Sequence, residues 1–430
     1  MGAILRVSDI NRFLVKTSDG KPFFWLGDTA WELFHRLTRE EVTDYLENRR
    51  LKGFTVIQAV AVAELDGLNT PNPYGARPFD NNNPKTPNDT YFQHIDYVVN
   101  AAEEKGLFIG LLPTWGSHVN NGVINASNAR AYGQYLGNRY KNKTNIIWIN
   151  GGDRNPAGKA NVWREMATGL AQGDGGKFLI TYHPSGGSSS SAFFHNDNWL
   201  DFNMLQSGHG SFDLAIYTAI DADYAKRPPK PTLDGEPRYE DHPVNWNPHH
   251  GYFRDYDVRQ AAYWALFAGA FGHTYGHHSI WQMWAPGRAG VSSPDRYWYE
   301  ALDRPGAADM FHVRNLMLSR PFLSRVPDQS IINGNPGSGA AHLQATRGDD
   351  YLFVYAPTGQ KFTINLGKIS GSNLKAWWYD PRNGTNAYIA ELSNSGIHVF
   401  EPPGSPGRGN DWVLVLDDVS KNFPPPGQML

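Results

Sequence analysis

Two acidic residues close apolar runs in this chain. In "IIWINGGDRNP", residues 146–156, bulky apolar residues lead through Asn150 and two glycines to Asp153, and in "PTLDGEPRYE", residues 231–240, a similar run reaches Glu236. Removing a carboxylate from water is costly unless the group is paired or its pKa shifts. Taken singly, each acid has a structural explanation: Asp153 can cap the turn that follows it, and Glu236 can pair with Arg238 or Arg154. Taken together, they can do proton-transfer chemistry, one group giving a proton while the other attacks or stabilises an electron-poor centre.

The elements that would position these acids are also legible. The segments "FFWLGDTAW", "FTVIQAVAV", "LFIGLLPTW", "NIIWINGGD", "FLITYHP", "DFNMLQSGH", "PTLDGEP" and "AFGHTYGHHSIW" are eight short apolar runs separated by stretches of helical period. Such alternation predicts βαβ units, and eight repeats predict a (β/α)8 TIM barrel over residues 1–325, with a doubly wound sheet as the alternative. The intervening helices carry end signals. Thr38 and Glu41 form a capping box with Gly53 at the C′ position, and Ile95, Val98, Val99 and Ala102 follow the i, i+3, i+4, i+7 rule ahead of Gly106. Beyond "MFHVRNLMLSRPFLSR" the texture changes to short alternating runs such as "YLFVYAP", "KFTINLG", "KAWWYDP" and "WVLVLDD", which predict a small all-β sandwich domain over 326–430. "ASNAR", "SGGSSSSA" and "EPPGSPGRGN" read as loops by composition.

In a barrel the active face lies at the C-terminal ends of the strands. Asp153 ends the fourth run and Glu236 the seventh, so the fold sets them across one mouth. A facing pair of carboxyl groups is the apparatus of glycosidic bond hydrolysis. Other residues at strand ends could hold sugar hydroxyls or stack on a sugar face: Asp28, Trp31, Gln58, Trp115, His183, Gln206, His209, Tyr275, His278 and Trp281. Each has a competing role in the core, and Asp28 reads equally as a helix cap.

Composition narrows the partners. The 430 residues are 40% hydrophobic and 19% charged with a formal net charge of −3, without the basic excess that recruits nucleic acid or anionic membrane. An uncharged substrate is expected, and an aromatic content of 13% suits stacking on sugars as well as core filling. With no cysteine there is neither a disulfide nor a thiolate nucleophile or ligand. The 15 histidines include "NPHH" and "GHTYGHHSIW", but adjacent pairs point to opposite sides of a strand and no H-E-x-x-H occurs, so no metal is expected. No G-x-S-x-G, P-loop or dinucleotide fingerprint is present, and no cofactor is indicated. No run reaches the ~20 apolar residues of a membrane span, and the opening "MGAILRVSDINRFLV" lacks a leader pattern. The native compartment stays open, with secretion or a periplasmic location expected if a leader precedes this chain. Oligomeric state is not set by the sequence.

The motifs "FFWLGDTAW", "GGDRNP" and "DGEPRYE" together resemble the apiosidase-like glycoside hydrolases of family 140, over a barrel from about Phe23 to Trp284. The later β part resembles the module, labelled as collagen-binding, that often follows that barrel. The resemblance implies a retaining mechanism with Asp153 as acid/base and Glu236 as nucleophile, and a pectic substrate of plant cell walls with apiose at the cleaved bond. The broader clan of such barrels carries Asn-Glu at the end of the fourth strand, where this chain has Gly152-Asp153, so the shorter acid must come closer to its target. A barrel glycosidase of other specificity, such as an arabinofuranosidase or endo-glucanase, and a non-catalytic carbohydrate- or collagen-binding protein are the competing readings.

Overall fold

A computed structural model describes residues 4–430. All eight apolar runs form strands: β1 Trp25–Thr29, β2 Val56–Val60, β3 Phe108–Leu112, β4 Ile146–Asn150, β5 Ile180–Tyr182, β6 Asn203–Gln206, β7 Thr232–Asp234 and β8 Gly272–Tyr275. Strands β8-β1-β2-β3-β4-β5 pair in parallel, as do β6 and β7. Two seams are tied by flanking groups. Asp201 N donates to Ile180 O at 2.9 Å between β5 and β6, and Phe271 N donates to Thr232 O at 3.0 Å between β7 and β8. The sheet thus curls into a TIM-type barrel. Every residue of these strands is buried, because helices cover the outside and side chains fill the inside.

The helices follow their sequence signals. Thr38 and Glu41 form the capping box of helix Arg39–Leu51, and helix Asp89–Glu104 buries Ile95, Val98, Val99 and Ala102. Helices Ala129–Tyr140 and Ala160–Asp174, on either side of β4, meet through glycines. A Cβ at Gly137 would stand 2.4 Å from Leu170 O, and one at Gly169 would stand 2.1 Å from Arg130 O. Only glycine permits that backbone approach, and it fixes the helices that frame Asp153.

One segment adds to the barrel and another departs from its composition. Residues 4–23 form a three-stranded antiparallel sheet (Leu5–Val7, Leu14–Lys16, Pro22–Phe23), anchored where Phe13 packs on Phe322 at 5.0 Å between ring centroids. "SGGSSSSA", expected as a loop, supplies a short strand, Ser188–Ser189, on β6 and the start of a helical turn, Ser191–Phe194. The reason is local: the Ser189 and Ser191 hydroxyls donate to Asp223 at 2.6 and 2.5 Å, ordering a stretch that composition alone makes pliant.

Past helix Pro305–Leu318 the chain becomes antiparallel β. A six-stranded sheet runs in the order Val326–Pro327, Gln344–Arg347, Tyr351–Ala356, Trp412–Asp418, Asn373–Tyr379, Asn386–Ser393, and a two-stranded sheet pairs Phe362–Asn365 with Ile397–Phe400. The period of two divides the central strands cleanly. Tyr351, Phe353, Tyr355, Val413 and Val415 join the barrel's core, while Leu352, Val354, Ala356, Leu414 and Leu416 form a separate core on the other face. Burial on both faces explains why these strands read as continuous apolar runs.

The seam against the barrel is specific as well as apolar. Phe267 stacks on Phe353 and Tyr263 on Tyr355. Fully buried Arg320, just past the last barrel helix, is held by both oxygens of Asp417 at 2.7 Å each, and Arg259 spans Asp309 of the barrel region and Asp411 of the β region. Removing one member of a buried ion pair strands the other charge, at about 3–5 kcal/mol. Asp417→Ala is therefore expected to lower unfolding stability by about that amount in urea titration, with both regions melting in one transition. Separate transitions with an unshifted barrel midpoint would refute the coupling.

Candidate active site

The turn after β4 solves a steric problem. Gly151, Gly152 and Asp153 all lie in the left-handed region, at φ 97°, 54° and 61°. A Cβ at Gly151 would stand 2.1 Å from His183 O, and one at Gly152 would stand 2.4 Å from Gly116 N. The two glycines thus let the chain pass between neighbouring strand ends and turn Asp153 into the mouth. Aspartate tolerates the left-handed region better than most residues. Its Oδ1 accepts from Gln206 Nε2 at 2.6 Å and its Oδ2 from Arg154 Nη1 at 2.6 Å.

Glu236 is held more tightly. Gln58, on β2, reaches across the barrel and donates Nε2 to Gly235 O at 2.9 Å. Buried Asp234 accepts from the backbone N of Glu236 at 3.0 Å and from Ser207 N at 3.3 Å. His209 Nε2 donates to Glu236 Oε1 at 3.1 Å. His183 Nε2 lies 3.0 Å from Oε2, close enough for strong charge interaction but out of line for a well-formed hydrogen bond. Arg238 takes no part, bonding instead to Asp257 O and Gln260.

These surroundings push the two carboxyl groups apart in acidity. Burial raises Asp153 above the ordinary carboxylate range, and the charge of Glu236 raises it further, against His183, Gln206 and Arg154. Burial pushes Glu236 the same way, but His183 and His209 outweigh it and hold Glu236 down at about 2. Burial lowers the His183 imidazole, yet Glu236, Asp153 and Asp234 together leave it above its usual value. The arrangement therefore holds one protonatable carboxyl beside one persistent carboxylate.

Asp153, His183 and Glu236 each offer a ligand atom, all within 4.8 Å of one another, the minimum geometry for a divalent cation. The chemistry of the set opposes one: Arg154 already occupies Asp153 Oδ2 with a positive charge, and Gln206 and His209 take up the other facing oxygens. The residues fit proton transfer better than metal binding.

The pair opens on a cavity of about 480 Å³ lined by Trp31, Trp115, Gln206, His209, Tyr239 and Trp281 among others. Of the residues expected at the mouth, Trp31, Trp115, Gln206, His209 and Trp281 do line it. His183 sits just behind, against Glu236 and the Trp31 ring. Four others are corrections. Asp28 is fully buried between Tyr45 Oη and Arg49 Nε, at 2.6 and 2.7 Å, pinning helix Arg39–Leu51 to β1. Gln58 is spent on Gly235 O, the Tyr275 hydroxyl on Glu240, and His278 Nε2 on Ser292 O. Each is held by a partner inside the barrel wall, and none lines the cavity.

Sequence reasoning passed over Glu64, Tyr239, Asn245 and Trp246, which also line the cavity. Glu64 closes the second run just as Asp153 closes the fourth, so the same signal could have found it. Burial, with Asp153, Glu32 and Glu236 nearby, pushes its carboxyl up to about 8. No residue beyond Trp281 lines the cavity, so the β region contributes no group to it.

Comparisons with known proteins agree with this geometry. Residues 8–324 match the family model described as "Apiosidase-like, catalytic domain", and residues 326–417 match "Putative collagen-binding domain of a collagenase". Among solved structures, one described as a glycoside hydrolase is 40% identical, with 97% of each chain covered and a TM-score of 0.93. A glycoside hydrolase family 5 protein from Bacteroides vulgatus is 38% identical, with 98% of this chain and 94% of that one covered and the same TM-score, 0.93. No curated protein matches the chain. With a carboxylate pair across the mouth of a TIM-type barrel and a family model spanning that whole barrel, the chain is a glycoside hydrolase and belongs to the apiosidase-like family.

Proposed function

We propose that the chain is a retaining glycoside hydrolase acting on a pectic polysaccharide of plant cell walls, with apiose at the cleaved bond. Residues 1–325 are the catalytic unit in this reading and residues 326–430 a supporting β-sandwich. One observation carries the mechanism: Asp153 and Glu236 offer oxygens within 4.8 Å of each other, on opposite sides of the acidity divide. Retaining enzymes hold their carboxyl groups about 5–5.5 Å apart, whereas inverting ones leave about 6.5–9.5 Å for a water. The short separation favours direct attack by Glu236. The name of the matched family supports the sugar, and the aromatic lining of the cavity supports a neutral one.

In the first half-reaction Asp153 gives its proton to the departing glycosidic oxygen while Glu236 attacks the anomeric carbon, forming a glycosyl ester. Esterification removes the charge of Glu236 and with it one cause of the raised Asp153 pKa. Asp153, now an anion and a weaker proton holder, is suited to take a proton from the water that cleaves the ester. Gln206 and His209 keep the two carboxyls oriented throughout.

Alanine variants separate the roles. Glu236→Ala is expected to lower kcat by about 10⁴-fold or more, the scale of losing a group that acts as part of a catalytic unit. Azide should then restore turnover with the inverted glycosyl azide as product. In Asp153→Ala, substrates with poor leaving groups should lose the most, and azide should give the retained product. NMR of the azide products decides the matter, and a retained product from Glu236→Ala would overturn the assignment.

The pH profile follows from the same groups. Because Glu236 stays ionised down to about 2, kcat/KM should hold level on the acid side as long as the protein stays folded. It should fall as pH rises through the raised pKa of Asp153, where the acid loses its proton. Glu64, pushed up to about 8, is the competing owner of that alkaline limb. Measuring kcat/KM against pH in Glu64→Gln discriminates: the limb is expected to stay where it is, and its disappearance would reassign it to Glu64.

A further inference from the structure

The segment "PVNWNPHH", residues 243–250, follows Glu236 in the loop after β7 and carries an unusual backbone. Asn245 and Trp246 both adopt left-handed conformations, at φ 51° and 61°. Asparagine visits that region readily, whereas a bulky tryptophan there is an outlier that persists only where its surroundings hold it. The surroundings do so. Asn245 N donates to His209 O at 2.7 Å, Trp246 N to Pro243 O at 3.0 Å, and Asn247 N to Val244 O at 3.2 Å. The indole packs edge-to-face on the His242, His209 and Trp281 rings, at centroid distances of 4.4, 5.7 and 6.3 Å.

This anchoring leaves the indole 45% exposed. Among the described residues it is the one exposed large apolar side chain that also lines the cavity holding Asp153 and Glu236. Beside it, the Asn245 side chain is exposed, lines the same cavity and makes no hydrogen bond within the protein. A fixed aromatic surface next to a free carboxamide fits one ligand chemistry well: the C–H face of a neutral sugar on the ring, with a hydroxyl on the amide. His209 links this surface to the reaction, because its backbone O holds Asn245 and its ring holds Glu236.

We propose that Trp246 and Asn245 form a second sugar-binding subsite at the cavity rim. It takes a neutral sugar unit attached to the one whose bond is cleaved, so the preferred substrate extends beyond a single sugar. The inference rests on the glycosidase reading above and adds to it where the rest of the substrate lies.

Two substrates that share the cleaved sugar test the idea. One is its glycosyl fluoride, whose leaving group is too small to reach the rim. The other is an oligosaccharide from a pectin digest that bears the same sugar. In Trp246→Ala, kcat/KM on the oligosaccharide is expected to fall at least ten times more than kcat/KM on the fluoride, mainly through KM, and Trp246→Tyr should recover most of the loss. Asn245→Ala should show a smaller bias in the same direction. Circular dichroism and thermal melting establish that each variant is folded. Equal losses on both substrates, or no loss on either, would overturn the subsite while leaving the hydrolase reading intact. If the unaltered enzyme cleaved neither substrate, the proposed sugar specificity would fail and the subsite with it.

Discussion

Two ionised carboxylates about 4 Å apart repel each other by about 4 kcal/mol at the effective dielectric of a protein site, and the active face of this barrel is organised around that repulsion. His183 and His209 hold the charge on Glu236, while burial and that same charge raise the proton affinity of Asp153. The asymmetry is built from different strand ends: His183 follows β5, Gln206 ends β6, and His209 lies just beyond it. A closed barrel is what brings these ends together around one mouth.

The groups behind the first ring are as constrained as those in it. Gln58 crosses the barrel to hold the carbonyl of Gly235, and Asp234 caps the backbone amide of Glu236, so the turn that carries Glu236 is fixed from two directions. On the opposite side, Gly151 and Gly152 permit a turn that no side chain could fit. A residue can thus be indispensable to the site without touching the cavity.

The β region belongs to the same physical unit. Its large sheet gives one face to the barrel's core and the other to the two-stranded sheet, and buried arginines cross the seam. It also reaches toward the active face. Arg408 donates to Asp213 at 2.8 Å, in the loop after β6 whose residues 207–210 line the cavity. It thus packs against that loop as well as against the barrel's outer helices.

The sequence by itself determined the barrel strands, the capped helices, the change to β structure after residue 320 and the two acids across the mouth. Apolar periodicity, capping boxes and strand-end acids are local signals, and each reflects burial that any version of this fold must satisfy. It did not determine which polar strand-end residue would face the cavity. Asp28, Gln58, Tyr275 and His278 looked equivalent to Gln206, and their partners Arg49, Gly235, Glu240 and Ser292 turned them into the wall. Nor did it reveal Trp246, which sits in a loop rich in proline and asparagine with no period to mark it. Those outcomes depend on groups far away in the chain and on the way the closed sheet sets strand ends against one another. Only the tertiary structure decided them, because a side chain's direction at a strand end is fixed by its spatial partners and not by its neighbours in sequence.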